Sequence, residues 1–337
     1  MLRGPALKAL AAIVALASTG CGASGGKSSS APAASVAPAV EQRGHAVGFE
    51  RFPRRWEANH ASNVSGIAIT KDAVITFGGG SVDAFSAADG SPLKSSSDGC
   101  MPLRTANTTD GSLTVACTGE LRSLDPKTLA WRTLMKFHAS AIAAAFSADE
   151  IFVEHWVSQA ETPHLQTTPL ETVAYDRTTL KPKRRLPAVD GLGATLAASE
   201  DGLLVGAFAK SVQINRDGGA SWRPLVKGDQ LLFAVPAPSG QRVFLAAPST
   251  GLIAVDVKTA TVARKWSGEI PMSAEWIGDE AVAVIGGSGG VRILELTGTE
   301  VTPSDEEVFN SLAVAPGGDA LCAHSIQTSR LTCYFAR

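Results

Sequence analysis

Residues 250–266 read TGLIAVDVKTATVARKW. An apolar run, 252–255, meets Asp256, turns through Lys258 and Thr259, and leaves along a second run rich in β-branched residues. Such a pattern spells a strand, a tight turn and its partner strand. Six further stretches repeat it with variations: SVDAFSAADGSPL from 81, ELRSLDPKTLAWRTL from 120, ETVAYDRTTLKPKRRL from 171, KSVQINRDGGASWRPL from 210, GVRILELTGTEVTP from 290 and SRLTCYFAR from 329. Aligned on the last apolar residue before the turn, the anchors are Phe85, Leu124, Tyr175, Ile214, Val255, Leu294 and Cys333. Their successive spacings are 39, 51, 39, 41, 39 and 39 residues. A period near forty with several strands per unit predicts an all-β, seven-bladed β-propeller of four-stranded antiparallel blades.

Within each unit the order repeats. A first strand opens it at 64–70, 141–147, 195–198, 231–236 and 274–277, and a second apolar strand follows at 73–77, 113–117, 150–156, 203–208, 242–247 and 281–285. Glycine-bearing turns punctuate them. Residues 138–146, HASAIAAAF, are alanine-rich and helical by propensity, yet their place in the repeat predicts a strand. The last unit, 310–337, offers three strands, so part of 45–54 is expected to supply the fourth and close the ring without a free edge.

Outside the repeat, residues 1–20 read as a signal peptide. Arg3 and Lys8 form its positive region and ALAAIVALA, 9–17, its short apolar region. Ser18-Thr19-Gly20-Cys21 resembles a bacterial lipobox, with Ser18 where leucine is usual. The resemblance implies lipidation of Cys21, membrane attachment in the bacterial envelope, and an outer-membrane address. Residues 21–44 then form the lipidated cysteine and a Gly/Ser/Ala/Pro tether, a coil that would span roughly 25–30 Å on average. The propeller is expected over 45–337.

Charge narrows the partners. Formal net charge is −2, two units lower once Arg3 and Lys8 leave with the leader, and no basic stretch stands out. Nucleic acid is therefore not expected as a partner, since phosphate neutralisation dominates that affinity. Four cysteines remain after Cys21, which leaves three connectivities open. Cys100 and Cys117 fall in the second unit, Cys322 and Cys333 in neighbouring strands of the last, so local disulfides are expected in an exported chain.

Asn215-Arg216-Asp217-Gly218-Gly219-Ala220-Ser221-Trp222 resembles the Asp-box turn of sialidase-type propellers, with Asn215 in place of the usual serine. It is a folding device and implies no sugar cleavage. Asp125 with Thr128, Asp176 with Thr179 and Asp256 with Thr259 are similar to the A-x-D-x-x-T core of quinoprotein-like repeats, although Leu129, Leu180 and Ala260 occupy the glycine position. The resemblance extends to YVTN-type propellers and implies the fold at superfamily level. The further residues those enzymes use to bind quinone are missing, and neither calcium nor quinone is required.

One long insertion, residues 157–170 (VSQAETPHLQTTPL), accounts for the 51-residue spacing and lies between second and third strands. In a propeller that connection shares a face with the blade-to-blade loops, a common place for binding elements. His155, Trp156 and His164 flank or occupy it, and Trp276 in the sixth unit is expected on the same face. These four residues make the candidate partner-binding surface. No linear motif of a hydrolase or nucleotide-binding loop is present. The expected role is a monomeric, non-catalytic, membrane-anchored scaffold for a protein partner. The alternative is a lactonase-like or quinoprotein-like enzyme with a metal or small molecule in the central channel.

Overall fold

The computed structural model describes residue 52 and residues 54–336, apart from 61–62, 79, 98, 109–110, 138–140, 158–168, 191–194, 209–210, 217, 220, 228–232, 249, 287–289, 299 and 302–306. Seven four-stranded antiparallel sheets make seven blades. From innermost to outermost strand, blade one is Gly66–Ile69, Ala73–Gly78, Ser81–Ser86 and Pro92–Ser96. Blade two is Pro102–Asn107, Leu113–Cys117, Glu120–Leu124 and Trp131–Lys136. Blade three is Ala141–Phe146, Glu150–Trp156, Pro169–Asp176 and Pro182–Asp190. Blade four is Thr195–Ala198, Leu204–Phe208, Ser211–Asn215 and Arg223–Lys227. Blade five is Phe233–Pro236, Arg242–Ala247, Gly251–Asp256 and Val262–Trp266. Blade six is Ser273–Ile277, Ala281–Ile285, Val291–Glu295 and Glu300–Val301. Blade seven is Ser311–Val314, Ala320–Ser325, Arg330–Phe335 and, as its outer strand, Arg54–Asn59. The inner strands pack on one another in that order, and the last meets the first. All seven anchor residues fall in third strands.

Each blade must bury both of its faces, which is why second and third strands read as nearly continuous apolar runs. Alternate side chains then serve different neighbours. In Gly251–Asp256, Leu252 and Ala254 pack toward blade six, while Ile253 and Val255 pack toward blade four. The hydrophobic core accordingly divides into seven clusters, one at every interface between adjacent blades.

The closing strand begins at Arg54, whereas the sequence pointed to 45–54. The physical reason is the register: Trp56 pairs with Cys333 and Ala58 with Leu331, and both side chains are buried. Trp56 stacks on Phe335 at 6.0 Å between ring centroids, and its indole N–H donates to the Ala87 carbonyl at 3.1 Å. Gly90 lies against the indole so closely that a Cβ there would meet the ring at 2.5 Å. The sequence pointed to the stretch just before Trp56, whereas the tryptophan that holds the seam lies within the strand itself.

Both disulfides join within their own blade, Cys100 to Cys117 and Cys322 to Cys333. The turn motifs also act as folding devices. The Asp256 carboxylate accepts from the Thr259 N–H at 2.9 Å and its hydroxyl at 3.0 Å, and Asp176 does the same for Thr179 at 2.7 and 2.9 Å. The residues in the glycine position, Leu129, Leu180 and Ala260, adopt φ of 55°, 58° and 54°. The motif's geometry thus survives without its glycine. In the Asp-box-like turn it is Asn215 that stitches: its amide donates to the carbonyls of Gly219 at 2.8 Å and Ser221 at 2.9 Å. Trp222 stands edge-on to Phe208 at 5.3 Å. Asp217 lies outside the described residues.

Candidate functional site

Antiparallel blades repeated around a ring put two kinds of connection on each face. One face, here the lower, carries the turns from first to second and from third to fourth strands. Its turns hydrogen-bond from blade to blade. The Asn107 amide donates to the Ile69 carbonyl at 3.2 Å, and Arg177 donates to the carbonyls of Asn107 and Ser147 at 2.7 and 2.8 Å. The chain continues through Ala148 N–H to Glu200 and Glu200 N–H to Pro238, both at 3.1 Å, and from Ser239 N–H to the Asp279 carboxylate at 3.1 Å. From blade one to blade six this face is laced with polar contacts.

The upper face carries the longer connections between second and third strands and between blades. Of the six large apolar side chains that stand exposed among the described residues, four belong to it: Met101 (64%), Trp156 (42%), Met272 (54%) and Ile326 (51%). The Cys100–Cys117 bond ties the connection bearing Met101 to the upper end of the second strand of blade two. Trp156 closes the second strand of blade three, where residues 157–170 begin. His164 and the interior of that insertion lie outside the described residues. Only Val157, Pro169 and Leu170 are placed, with the Val157 N–H donating to the Pro169 carbonyl at 3.1 Å, so the insertion leaves and re-enters through a narrow neck.

The remaining expected surface residues stand elsewhere. His155 is buried and pairs with Glu171 at 3.3 Å, which also takes Arg185 at 3.0 Å. Trp276 is buried in the cluster between blades five and six, with its indole N–H donating to the Val235 carbonyl at 2.8 Å. It borders the lower half of the channel, not the upper face. A tryptophan near a strand end reads the same on paper in either place, and only the blade interface tells them apart.

The central channel holds a feature that the sequence does not announce. Arg104 of blade two reaches across it to Glu275 of blade six, with N–O distances of 2.7 and 3.3 Å in a two-pronged pair. The Glu275 charge raises the Arg104 guanidinium above its ordinary pKa against the opposing effect of burial. A β-bulge at Leu103 shifts the pairing of the inner strand just before Arg104, a device that re-aims a side chain. The pair borders an upper cavity of about 320 Å³ and a lower one of about 740 Å³. Among the described residues, no group of three or more His, Cys, Asp or Glu side chains converges as metal ligands would.

Two polar clusters lie outside the channel. At the seam, His60 Nε2 lies 3.1 Å from the Asp83 carboxylate and 2.9 Å from the Thr76 hydroxyl. His324 packs edge-on to it at 5.5 Å, with burial lowering its pKa to about 4. In blade three, Glu154 is 0% exposed and neither carboxyl oxygen has a hydrogen-bond partner among the described residues. Burial raises its pKa to about 7. No protein-family model matches the chain, and no curated protein matches it.

Proposed function

We propose that this propeller is a non-catalytic interaction module that docks a protein partner on its upper face. The observation that carries the reading is the asymmetry of the two faces. Met101, Trp156, Met272 and Ile326 come from four different blades or their connections, and each lies in or beside a connection of the upper face. Met and Trp are enriched at protein interfaces, and here they supply three of the four exposed apolar side chains of that face. The disulfide beside Met101 and the narrow neck of the 157–170 insertion hold this surface in place before a partner arrives, which lowers the ordering cost of binding. The lipobox-like Cys21 and the Gly/Ser/Ala/Pro stretch after it support attachment to the bacterial envelope.

The test is in-membrane crosslinking and co-purification of the lipidated protein, beside a Trp156→Ala/Met272→Ala variant and a lower-face Leu93→Ala control. A discrete partner captured by wild type and control but lost, by tenfold or more, with the double variant is the expected result. A partner retained by the double variant would move the docking surface off this face.

A further inference from the structure

The Arg104–Glu275 pair is unusual in where it stands. Blades two and six are not neighbours, so the bond spans the channel instead of stitching an interface. It lies at the boundary shared by the two cavities, where Arg104, Thr105, Ala106, Asn107, Glu275, Val314 and Pro316 line both. The lower cavity falls within the size range of small-molecule sites. Phe146, Val235, Pro236, Trp276 and Pro316 supply an apolar wall, and its charged residues balance: Arg104 and Arg177 against Glu200 and Glu275. Arg177 is committed to the carbonyls of Ser147 and Asn107. Arg104 and Glu275 have only each other among the described hydrogen bonds.

That arrangement selects by charge. An anion that took Arg104 would strand the Glu275 carboxylate inside the channel, and a cation that took Glu275 would strand the guanidinium. The side chain left behind is partly open to water, Arg104 at 43% and Glu275 at 21% exposed, so such an exchange costs little but also gains little: one ion pair merely replaces another. A neutral ligand offers neither side chain a charge to exchange. A zwitterion is different: its carboxylate meets Arg104, its ammonium meets Glu275, and one ion pair becomes two. We propose that the Arg104–Glu275 pair is the recognition element of a channel site for a small zwitterion of amino-acid type, its apolar body lying against the wall of the lower cavity. This site lies in the channel and does not depend on the upper-face reading, although Met272 lines the upper cavity that the pair also borders.

Calorimetric titration of the full chain distinguishes the three charge types with one side chain. The probes are L-phenylalanine, N-acetyl-L-phenylalanine (anion only) and L-phenylalaninamide (cation only), each at millimolar concentration. The zwitterion should bind saturably and about tenfold or more tighter than either blocked form, the worth of one charge-assisted hydrogen bond. E275Q should turn the preference toward the N-acetyl compound and R104Q toward the amide. The doubly reversed R104E/E275R chain should keep the zwitterion preference, because it preserves the pair with opposite polarity. Absence of saturable binding by L-phenylalanine, equal affinity for all three probes, or a preference unmoved by E275Q would overturn the proposal. The wild-type arms alone decide it if a variant fails to fold. Trp156→Ala should bind the zwitterion as wild type does, and a loss there would put the site on the upper face instead.

Discussion

Glu154 shows how one residue can work against the blade that contains it. It occupies an alternating position with Phe152, whose ring fills the cluster between blades three and four, so the pattern demands an apolar side chain there. The strands packed against it, Ala141–Phe146, Thr195–Ala198 and Leu204–Phe208, carry no charge. On the neighbouring strands Glu171 faces His155 and Arg185, Arg184 is held by Glu150, and Lys183 also reaches Glu150. Burial therefore keeps Glu154 protonated to about pH 7, above the 4.5 of an exposed carboxyl. Its folded form holds a proton that the unfolded chain has released, so stability falls as pH rises from about 4.5 to 7. His324 does the opposite. Lowered from 6.5 to about 4, it stays neutral in the fold where the unfolded chain is charged, so its contribution grows as pH rises from 4 to 6.5. In wild type the two slopes oppose each other between about pH 4.5 and 6.5. Glu154→Gln should unmask the His324 slope, and its midpoint in urea should rise between pH 4 and 6.5 more steeply than that of wild type. Parallel curves for the two proteins would place the Glu154 carboxyl in contact with water.

At the scale of the element, the closing strand bears most on integrity. Arg54–Asn59 gives blade seven its fourth strand through six register pairs, and Trp56 delivers one of its two buried side chains to the seam. The indole fills space bounded by Phe335, Ala87 and Gly90 that no neighbouring group can take over. Trp56→Ala should cost about 3–5 kcal/mol of unfolding free energy, measured by chemical denaturation. It should also speed deuterium exchange in Arg330–Phe335 ahead of the other blades. A loss below about 1 kcal/mol would mean that the strand is held by its backbone ladder alone. The turns carry a smaller store of strain. Leu129, Leu180 and Ala260 sit in the left-handed region, where an L side chain costs roughly 1–2 kcal/mol per residue. The aspartate and threonine bonds of each turn evidently outweigh that cost.

For the whole molecule, the proposed anchor and the proposed docking face belong to separate stretches of the chain. Cys21→Ala should release the protein from membranes into the soluble fraction, followed by fractionation and by loss of the lipid mass on the N-terminal peptide. Full retention on membranes would remove the lipid from the account. Release should leave the thermal unfolding of the propeller unchanged, because the clusters that hold it lie between blades at 52 and beyond.

Much of this architecture was legible because it is local. A blade that must be buried on both faces has to spell its second and third strands in apolar residues, and each hairpin needs its own turn chemistry. The repeat at Leu252–Val255 and Asp256 therefore announces itself seven times, and the spacing of the anchors counts the blades. The same logic brought Cys322 opposite Cys333 and turned the alanine-rich 141–146 into a strand against its helical propensity. The inner strand of blade two, Pro102–Asn107, escaped notice for the converse reason. It lines the channel, so its residues are largely polar and only partly buried, and no apolar run marks it. Closing the ring decided the rest. Only closure brings Arg104 within 2.7 Å of Glu275, 171 residues away, while the packing of blade five on blade six buries Trp276. Periodicity records which side chains must be covered by the next blade. It holds no information about what meets across an empty centre, because that distance exists only once the seventh blade has joined the first.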